Sequence, residues 1–332
     1  MSGKLFLFLQ IQYIIFGVTS IKRNIPINDY SSYRCFILKK KEVIHMKEII
    51  LQEQSIRKNR KHTEDDQLLI GKGGYISPND YLWDDILLSV TLKKAILLKG
   101  PAGSGKTKLA ESISNFFYQP MHSINCSVDL DAESLLGFKT MVQKEGKTLI
   151  EFVEGPVVKA MKQGHLLYID EINMAKAETL PILHSVLDYR RMLTNPFTGE
   201  VIQAHPDFSV VAAINEGYIG TTPMNEALKN RFVSFSIPYL NGQQLKELWQ
   251  KRFPNVSTDL LTLMLNLAED LKQQVMNGLL SEEAASIRSL LDATELAQHI
   301  EPIRAIRYAV AEKLDDQSEK DLVIELAKTW IK

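Results

Sequence analysis

Ala95-Ile96-Leu97-Leu98-Lys99-Gly100-Pro101-Ala102-Gly103-Ser104-Gly105-Lys106-Thr107 decides the fold. Its first four residues form a continuous apolar run, as expected of a strand buried on both faces of a parallel sheet. A glycine-rich loop follows at once, and then a helical pattern with Leu109, Ile113 and Phe116 on one face. Strand, loop and helix in that order give the GxxxxGKT spacing its meaning. The glycines let successive backbone N–H groups turn inward around an anion, at the positive end of the helix that follows. Gly100, Pro101, Ala102, Gly103, Ser104, Gly105, Lys106 and Thr107 are therefore the candidate nucleotide-binding residues. Within them, Lys106 is suited to reach the β- and γ-phosphates and Thr107 to offer its hydroxyl to Mg²⁺.

A second strand signal, His165-Leu166-Leu167-Tyr168-Ile169, runs straight into Asp170-Glu171. Both carboxylates are thereby placed at the carboxyl end of a buried strand, where open α/β sheets bind their ligands. Asp170 is the candidate metal ligand beside Thr107, and Glu171 the candidate base for an attacking water. A strand that merely ends in two solvated acids is the plainer reading, and the loop upstream argues against it.

Outward from these two motifs, strands are expected near 95–99, 121–126, 165–170, 208–214 and 232–236, alternating with helices. Ser77-Pro78-Asn79-Asp80 reads as the start of a helix reaching about Leu92, with serine capping and proline in the first turn. The expected fold is a three-layer αβα P-loop domain with a parallel sheet. Beyond Pro238 the pattern is helical only. Leu260, Met264, Leu267, Leu271 and Val275 share one face of a long helix, and further helices are expected over about 284–299, 302–315 and 319–330. The domain boundaries predicted are 66–240 for the α/β part and 241–332 for a small all-helical lid.

Taken together, GPAGSGKT, LLYIDEIN, Val210-Val211-Ala212-Ala213-Ile214-Asn215 and Asn225-Glu226-Ala227-Leu228-Lys229-Asn230-Arg231-Phe232 resemble an AAA+ ATPase. The resemblance covers about residues 66 to 332 and is strongest to the MoxR/dynein-related branch, which includes activators of nitric oxide reductase and of rubisco. It implies that Asn215 is the sensor that orients the attacking water, and that Arg231 is an arginine finger inserted into a neighbouring subunit's site. It also implies that Arg288, in Ser286-Ile287-Arg288-Ser289-Leu290, is the nucleotide-sensing arginine of the lid. The segments 138–142 and 148–153, around Gln143-Lys144-Glu145-Gly146-Lys147, are placed like the family's helix-2 insert. Leu193 and Val201-Ile202, around Asn195-Pro196-Phe197-Thr198-Gly199, are placed like its pre-sensor hairpin. Both face a central pore and a protein client in that family. Glu216-Gly217 departs from the Asn-Pro that many relatives carry after the sensor.

The residues alone also allow plainer roles. Asn215 fits a strand-to-loop cap, Arg231 a cation at a helix end, Arg288 a solvated side chain and the hairpins ordinary surface loops. By resemblance, the chain is expected to hydrolyse ATP with Mg²⁺, to assemble into a homo-oligomeric ring, hexameric by analogy, and to work in the cytoplasm. A partner bearing a von Willebrand factor A domain and a protein client are implied with it. Two rival functions stay open, a nucleic-acid motor of the restriction type and a small-molecule phosphotransferase. A GTPase is disfavoured because no NKxD segment is present.

Composition narrows the rivals. Among 332 residues, 39 Lys and Arg meet 40 Asp and Glu, so there is no basic excess of the kind nucleic-acid proteins usually carry. The two cysteines, Cys35 and Cys126, are far apart, which offers neither a disulfide framework nor a zinc cluster. The first 45 residues read differently from the rest. Lys4 precedes the apolar run Leu5 to Val18, which is too short and too glutamine-interrupted for a stable membrane span. Lys40-Lys41-Glu42-Val43 can be encoded by a stretch containing a bacterial ribosome-binding sequence just upstream of Met46. We therefore expect Met46 to be the native start and residues 1–45 to be a translated leader, the alternative being a signal or anchor. Mass spectrometry of the natural N-terminus distinguishes them. Residues 46–65, with the basic run Arg57 to Lys61, read as a solvated charged linker.

Overall fold

The structure is a computed structural model that describes residues 30–331 apart from 80, 127–129, 145–146 and 216–222. The readings made on residues 1–29 and on Glu216-Gly217 lie outside the described residues. A compact unit spans Glu48–Lys332 and is described here. Among the described residues, no helix is long and apolar enough to cross a membrane.

The five apolar runs form one parallel sheet. Its strands are β1 (Ala95–Gly100), β2 (Met121–Asn125), β5 (Leu166–Asp170), β8 (Ser209–Asn215) and β9 (Phe232–Ser236), in the order β2-β5-β8-β1-β9. The central strands are apolar on both faces because helices cover both sides, and Ile96, Leu97, Leu98 and Val211 have no solvent exposure. Gly100 lies opposite Asn215, and Asn125 opposite Asp170. The register thus gathers the glycine loop, the acids and Asn215 at one end of the sheet.

Two hairpins stand outside this sheet. β3 (Gly137–Lys144) pairs antiparallel with β4 (Lys147–Glu154), and β6 (Met192–Thr194) with β7 (Val201–Gln203). From Gly242 onward all elements are helical. Helix Thr258–Met276 buries Leu261, Met264, Leu267 and Leu271, with Leu260 and Val275 at the margin of the same core. Trp249 is fully buried in this part, and its indole Nε1–H donates to Thr294 Oγ1 at 2.8 Å.

Four expectations need correction. The helix read from Ser77 begins at Leu82 with Tyr81 at its N-cap, because the preceding residues form a turn in which Asn79 Oδ1 accepts from the backbone N–H of Tyr81 and Leu82. The helix expected over 284–299 divides into a 3₁₀ turn, Glu282–Ala285, and a helix, Ile287–Ala297. The segment 302–315 divides into Pro302–Ala309 and the turn Ala311–Lys313. The stretch read as a solvated charged linker is largely helical, since helix Tyr30–Lys58 runs through it, and Arg57 is 1% exposed. The Arg57 guanidinium lies 4.7 Å from the Phe117 ring centre, donates to Gln119 Oε1 at 2.8 Å and pairs with Glu53 at 2.9 Å. A buried charge is tolerated when it is paired and hydrogen-bonded in this way.

Candidate functional site

The loop after β1 is shaped by close approaches that exclude side chains. At Gly100 a Cβ would lie 2.2 Å from the Ile237 carbonyl oxygen. At Gly103 φ is +78°, and a Cβ would lie 2.7 Å from Ser286 Oγ on the lid. Helix Lys106–Phe117 starts directly after Gly105, so its unpaired N–H groups open toward the loop. Lys106 is 6% exposed, and its ammonium donates to the carbonyls of Gly100 and Pro101, each at 2.8 Å. Ser104 Oγ is buried with no hydrogen-bond partner among the described residues. A buried hydroxyl without a partner, beside a buried cation resting on its own loop, fits a loop built around an anion.

At the end of β5, side chains two residues apart share a face. Tyr168 and Asp170 therefore point the same way, toward the helix that carries Thr107. The Tyr168 hydroxyl lies 3.2 Å from Thr107 Oγ1, and the Asp170 carboxylate is near enough for its charge to act on that hydroxyl. Burial raises the Asp170 pKa, and the neighbouring Glu171 charge adds to that rise. Burial likewise pushes the Tyr168 hydroxyl up, so it stays protonated and able to donate. An acid held in a place that disfavours its charge, next to two hydroxyls, suits a cation. Thr107, Tyr168 and Asp170 would hold Mg²⁺ or the groups around it.

Glu171 adopts a left-handed backbone, φ 51° and ψ 43°, which turns its side chain away from the strand direction. Asn215, at the end of β8, donates from Nδ2 to Glu171 Oε1 at 3.1 Å. The candidate base and the candidate sensor are thus in direct contact.

The lid reaches the loop through residues that the sequence reading passed over. Tyr239 donates toward the carbonyls of Ala102, at 3.1 Å, and Glu282, at 3.3 Å, joining loop and lid. Glu282 is close enough for the Lys106 charge to act on its carboxyl, which burial nevertheless raises. Arg288 is exposed on the first turn of helix Ile287–Ala297, two residues beyond Ser286. Tyr168 could have been found from its period-2 spacing to Asp170. Tyr239 and Ser286 carry no such signal.

Arg231 is at the other end of the sheet. It immediately precedes β9, and Phe232 is in register with Ala95 at the start of β1. The loop follows the far end of β1, about 20 Å away at the usual rise of a strand. Arg231 donates to the Ala227 carbonyl and lines an open cleft of about 570 Å³ together with Asp188, Tyr189, Arg191 and Phe208.

Comparison with known proteins adds a family match, two relatives and two solved structures. Residues 95–232 match the family model of the AAA domain (dynein-related subfamily). YojN of Bacillus subtilis (strain 168) is 56% identical over 263 residues, covering 79% of this chain and 86% of that protein. A Staphylococcus haemolyticus protein is 53% identical over 253 residues, covering 76% and 96% respectively. Among solved structures, a putative ATPase from Cytophaga hutchinsonii aligns at 19% identity and a TM-score of 0.43, covering 88% of this chain and 98% of that one. The RuvB Holliday junction branch migration motor of Thermotoga maritima aligns at 16% identity and a TM-score of 0.42, covering 74% and 68%.

Proposed function

This chain is a AAA-domain protein of the dynein-related subfamily, in one family with Bacillus subtilis YojN, and on that premise we propose that it hydrolyses Mg-ATP to remodel or activate a protein client. The observation that carries the reading is the contact between Asn215 and Glu171 at the mouth of the phosphate loop.

Backbone N–H groups of Gly103 to Thr107 bind the phosphates, and Lys106 exchanges its two loop carbonyls for phosphate oxygens. Thr107 and Asp170 hold Mg²⁺, whose charge, when bound, offsets the negative charge that builds up on the transferred phosphoryl group. The Tyr168 hydroxyl orients Thr107. Glu171 takes the proton of the attacking water on its carboxylate while Asn215 fixes that carboxylate in place. Tyr239 and Ser286 bring the lid against the loop, and Arg288 enters from the lid helix Ile287–Ala297. Arg231 serves the site of the next subunit in a ring, hexameric by analogy. Such trans arginines contribute on the order of 10³–10⁵ in rate in other NTPases. The two hairpins engage the client, and a von Willebrand factor A domain protein is the expected partner. The near balance of acids and bases favours a protein client over nucleic acid.

ATP turnover measured across protein concentration, with wild type beside Glu171→Gln and assembly followed by light scattering, tests the proposal. Turnover should rise with assembly and vanish in the variant, which should still bind ATP. Turnover that survives Glu171→Gln would remove this residue from the chemistry.

A further inference from the structure

At the end of the sheet remote from the phosphate loop, three side chains with metal-binding atoms converge. They are His62, Asp66 and His165, whose candidate ligand atoms all lie within 4.8 Å of one another. His62 and Asp66 lie on a short segment ahead of β1, and His165 immediately precedes β5. Asp170, at the other end of β5, is about 15 Å from His165 at the usual strand rise, so this cluster is separate from the nucleotide site.

Each member already has the outer contact that a metal ligand needs. His62 Nε2 lies 3.1 Å from the Tyr118 carbonyl oxygen. A carbonyl can only accept, so that nitrogen carries the proton and Nδ1 is left with a free lone pair. Tyr118 caps the preceding helix at φ 52°, which sets the direction of its carbonyl. His165 is 2% exposed, and its Nδ1 lies 3.0 Å from His122 Nε2, the two rings being stacked at 5.3 Å. That contact occupies Nδ1 and leaves Nε2 for a ligand. Asp66 accepts from the Thr63 N–H in a helix capping box, which fixes the carboxylate on this face. Outer hydrogen bonds that fix tautomer and ring orientation are characteristic of histidines that ligate metals. Arg60, whose charge acts on His165, is held by Asp207 at 3.0 Å and by the Gln163 carbonyl at 2.9 Å.

We infer that His62, Asp66 and His165 bind one Zn²⁺-type divalent transition metal, with His122 as the outer partner of His165 and water as the fourth ligand. Two imidazole nitrogens and one carboxylate oxygen suit zinc, which takes three protein ligands where a fourth position is kept open. Ligand atoms around a tetrahedral zinc lie about 3.3 Å apart. His62 and Asp66, both half-buried and on one short segment, close that distance by side-chain rotation, while the buried His165 supplies the fixed point. The ion ties the segment ahead of β1 to the amino-terminal ends of β2 and β5. This inference does not depend on the proposed ATPase activity.

The test uses the full chain, stripped with a chelator and titrated with Zn²⁺ alone, without nucleotide, by calorimetry and elemental analysis. One equivalent should bind to wild type and to Asp170→Asn, and affinity should fall at least about 10-fold in His62→Gln and in Asp66→Asn. Zn²⁺ should raise the melting temperature of wild type more than that of either variant. Co²⁺ in wild type should give the visible absorption of a four-coordinate site, a reading that needs no variant to fold. The inference is overturned if wild type retains no equivalent, if both variants bind as wild type does, or if Co²⁺ shows only the weak spectrum of the hydrated ion.

Discussion

The Tyr168 hydroxyl touches Thr107 and lies within reach of the Asp170 charge, and deleting that hydroxyl leaves the buried ring in place. Groups that orient metal ligands typically contribute about 10–100-fold to affinity or activity. Tyr168→Phe should therefore lower turnover about 10-fold and raise the Mg²⁺ concentration needed for half-maximal rate, with ATP binding in the absence of Mg²⁺ unchanged. A Mg²⁺ titration of turnover checks this, and an unmoved midpoint would place Tyr168 outside the site. Glu53 supplies a second test at this scale. Burial raises its pKa, but hydrogen bonds from Lys93 and Arg57 outweigh burial and hold it below its ordinary value of 4.5. An acid with a depressed folded pKa contributes stability that is present above its unfolded pKa and lost as pH falls through the folded one. The melting-temperature margin of wild type over Glu53→Gln should accordingly be full at neutral pH and shrink as pH drops below 4.5. A margin that stays constant down to pH about 3 would show that Glu53 titrates without coupling to folding. Arg57 also shows where reading the sequence stops: its partners Phe117 and Gln119 lie about 60 residues away, so a basic run that looked solvated became a buried anchor.

Elements legible in the sequence were those whose signal is local. The five parallel strands are short apolar runs, the glycine loop has fixed spacing, and both hairpins announce themselves by turn residues flanked by strand formers. Contacts between elements were not legible, because Tyr239 and Ser286 gain meaning only when the lid folds back on the loop. That seam yields a prediction. At Gly103 a methyl group would meet Ser286 and would also sit on a left-handed backbone, a strain of roughly 1–3 kcal/mol. Gly103→Ala should weaken ATP binding by about 10-fold or more. Gly199→Ala bears a similar backbone strain at φ +73° with nothing within 4 Å of the new methyl group. Its ATP affinity should stay at the wild-type level. Titration with a fluorescent nucleotide compares the two, and equal losses would assign the effect to general destabilisation rather than to the seam. The β3–β4 hairpin is the other element open to test. Met141 and Ile150, cross-strand partners, are 75% and 71% exposed. An exposed apolar pair on a polar-flanked ribbon has no role in this chain's own core, which agrees with a surface meant for another protein.

At the scale of the whole molecule, Arg231 and the phosphate loop cannot meet within one subunit, since the length of β1 separates them. If Arg231 completes a neighbour's site, two inactive variants should rescue each other. Arg231→Ala keeps its own base but offers its neighbour no arginine, whereas Glu171→Gln keeps the arginine and lacks the base. Each variant alone forms rings in which every site is defective. Mixed in equal amounts and allowed to reassemble, the two place an intact Glu171 beside an intact Arg231 at about a quarter of the interfaces, because a head-to-tail ring pairs one face of each subunit with the other face of the next. Turnover of the mixture should therefore recover to about a quarter of wild type if sites act independently, and to less if hydrolysis must pass around the ring. If Arg231 acted only on its own chain, or merely balanced the end of its helix, no mixture would exceed its better component. Measured turnover across mixing ratios, with assembly confirmed by light scattering at each ratio, separates these cases. The shape of the curve carries the further information, since a symmetric maximum at equal mixing arises only when the two residues belong to different subunits of the same site.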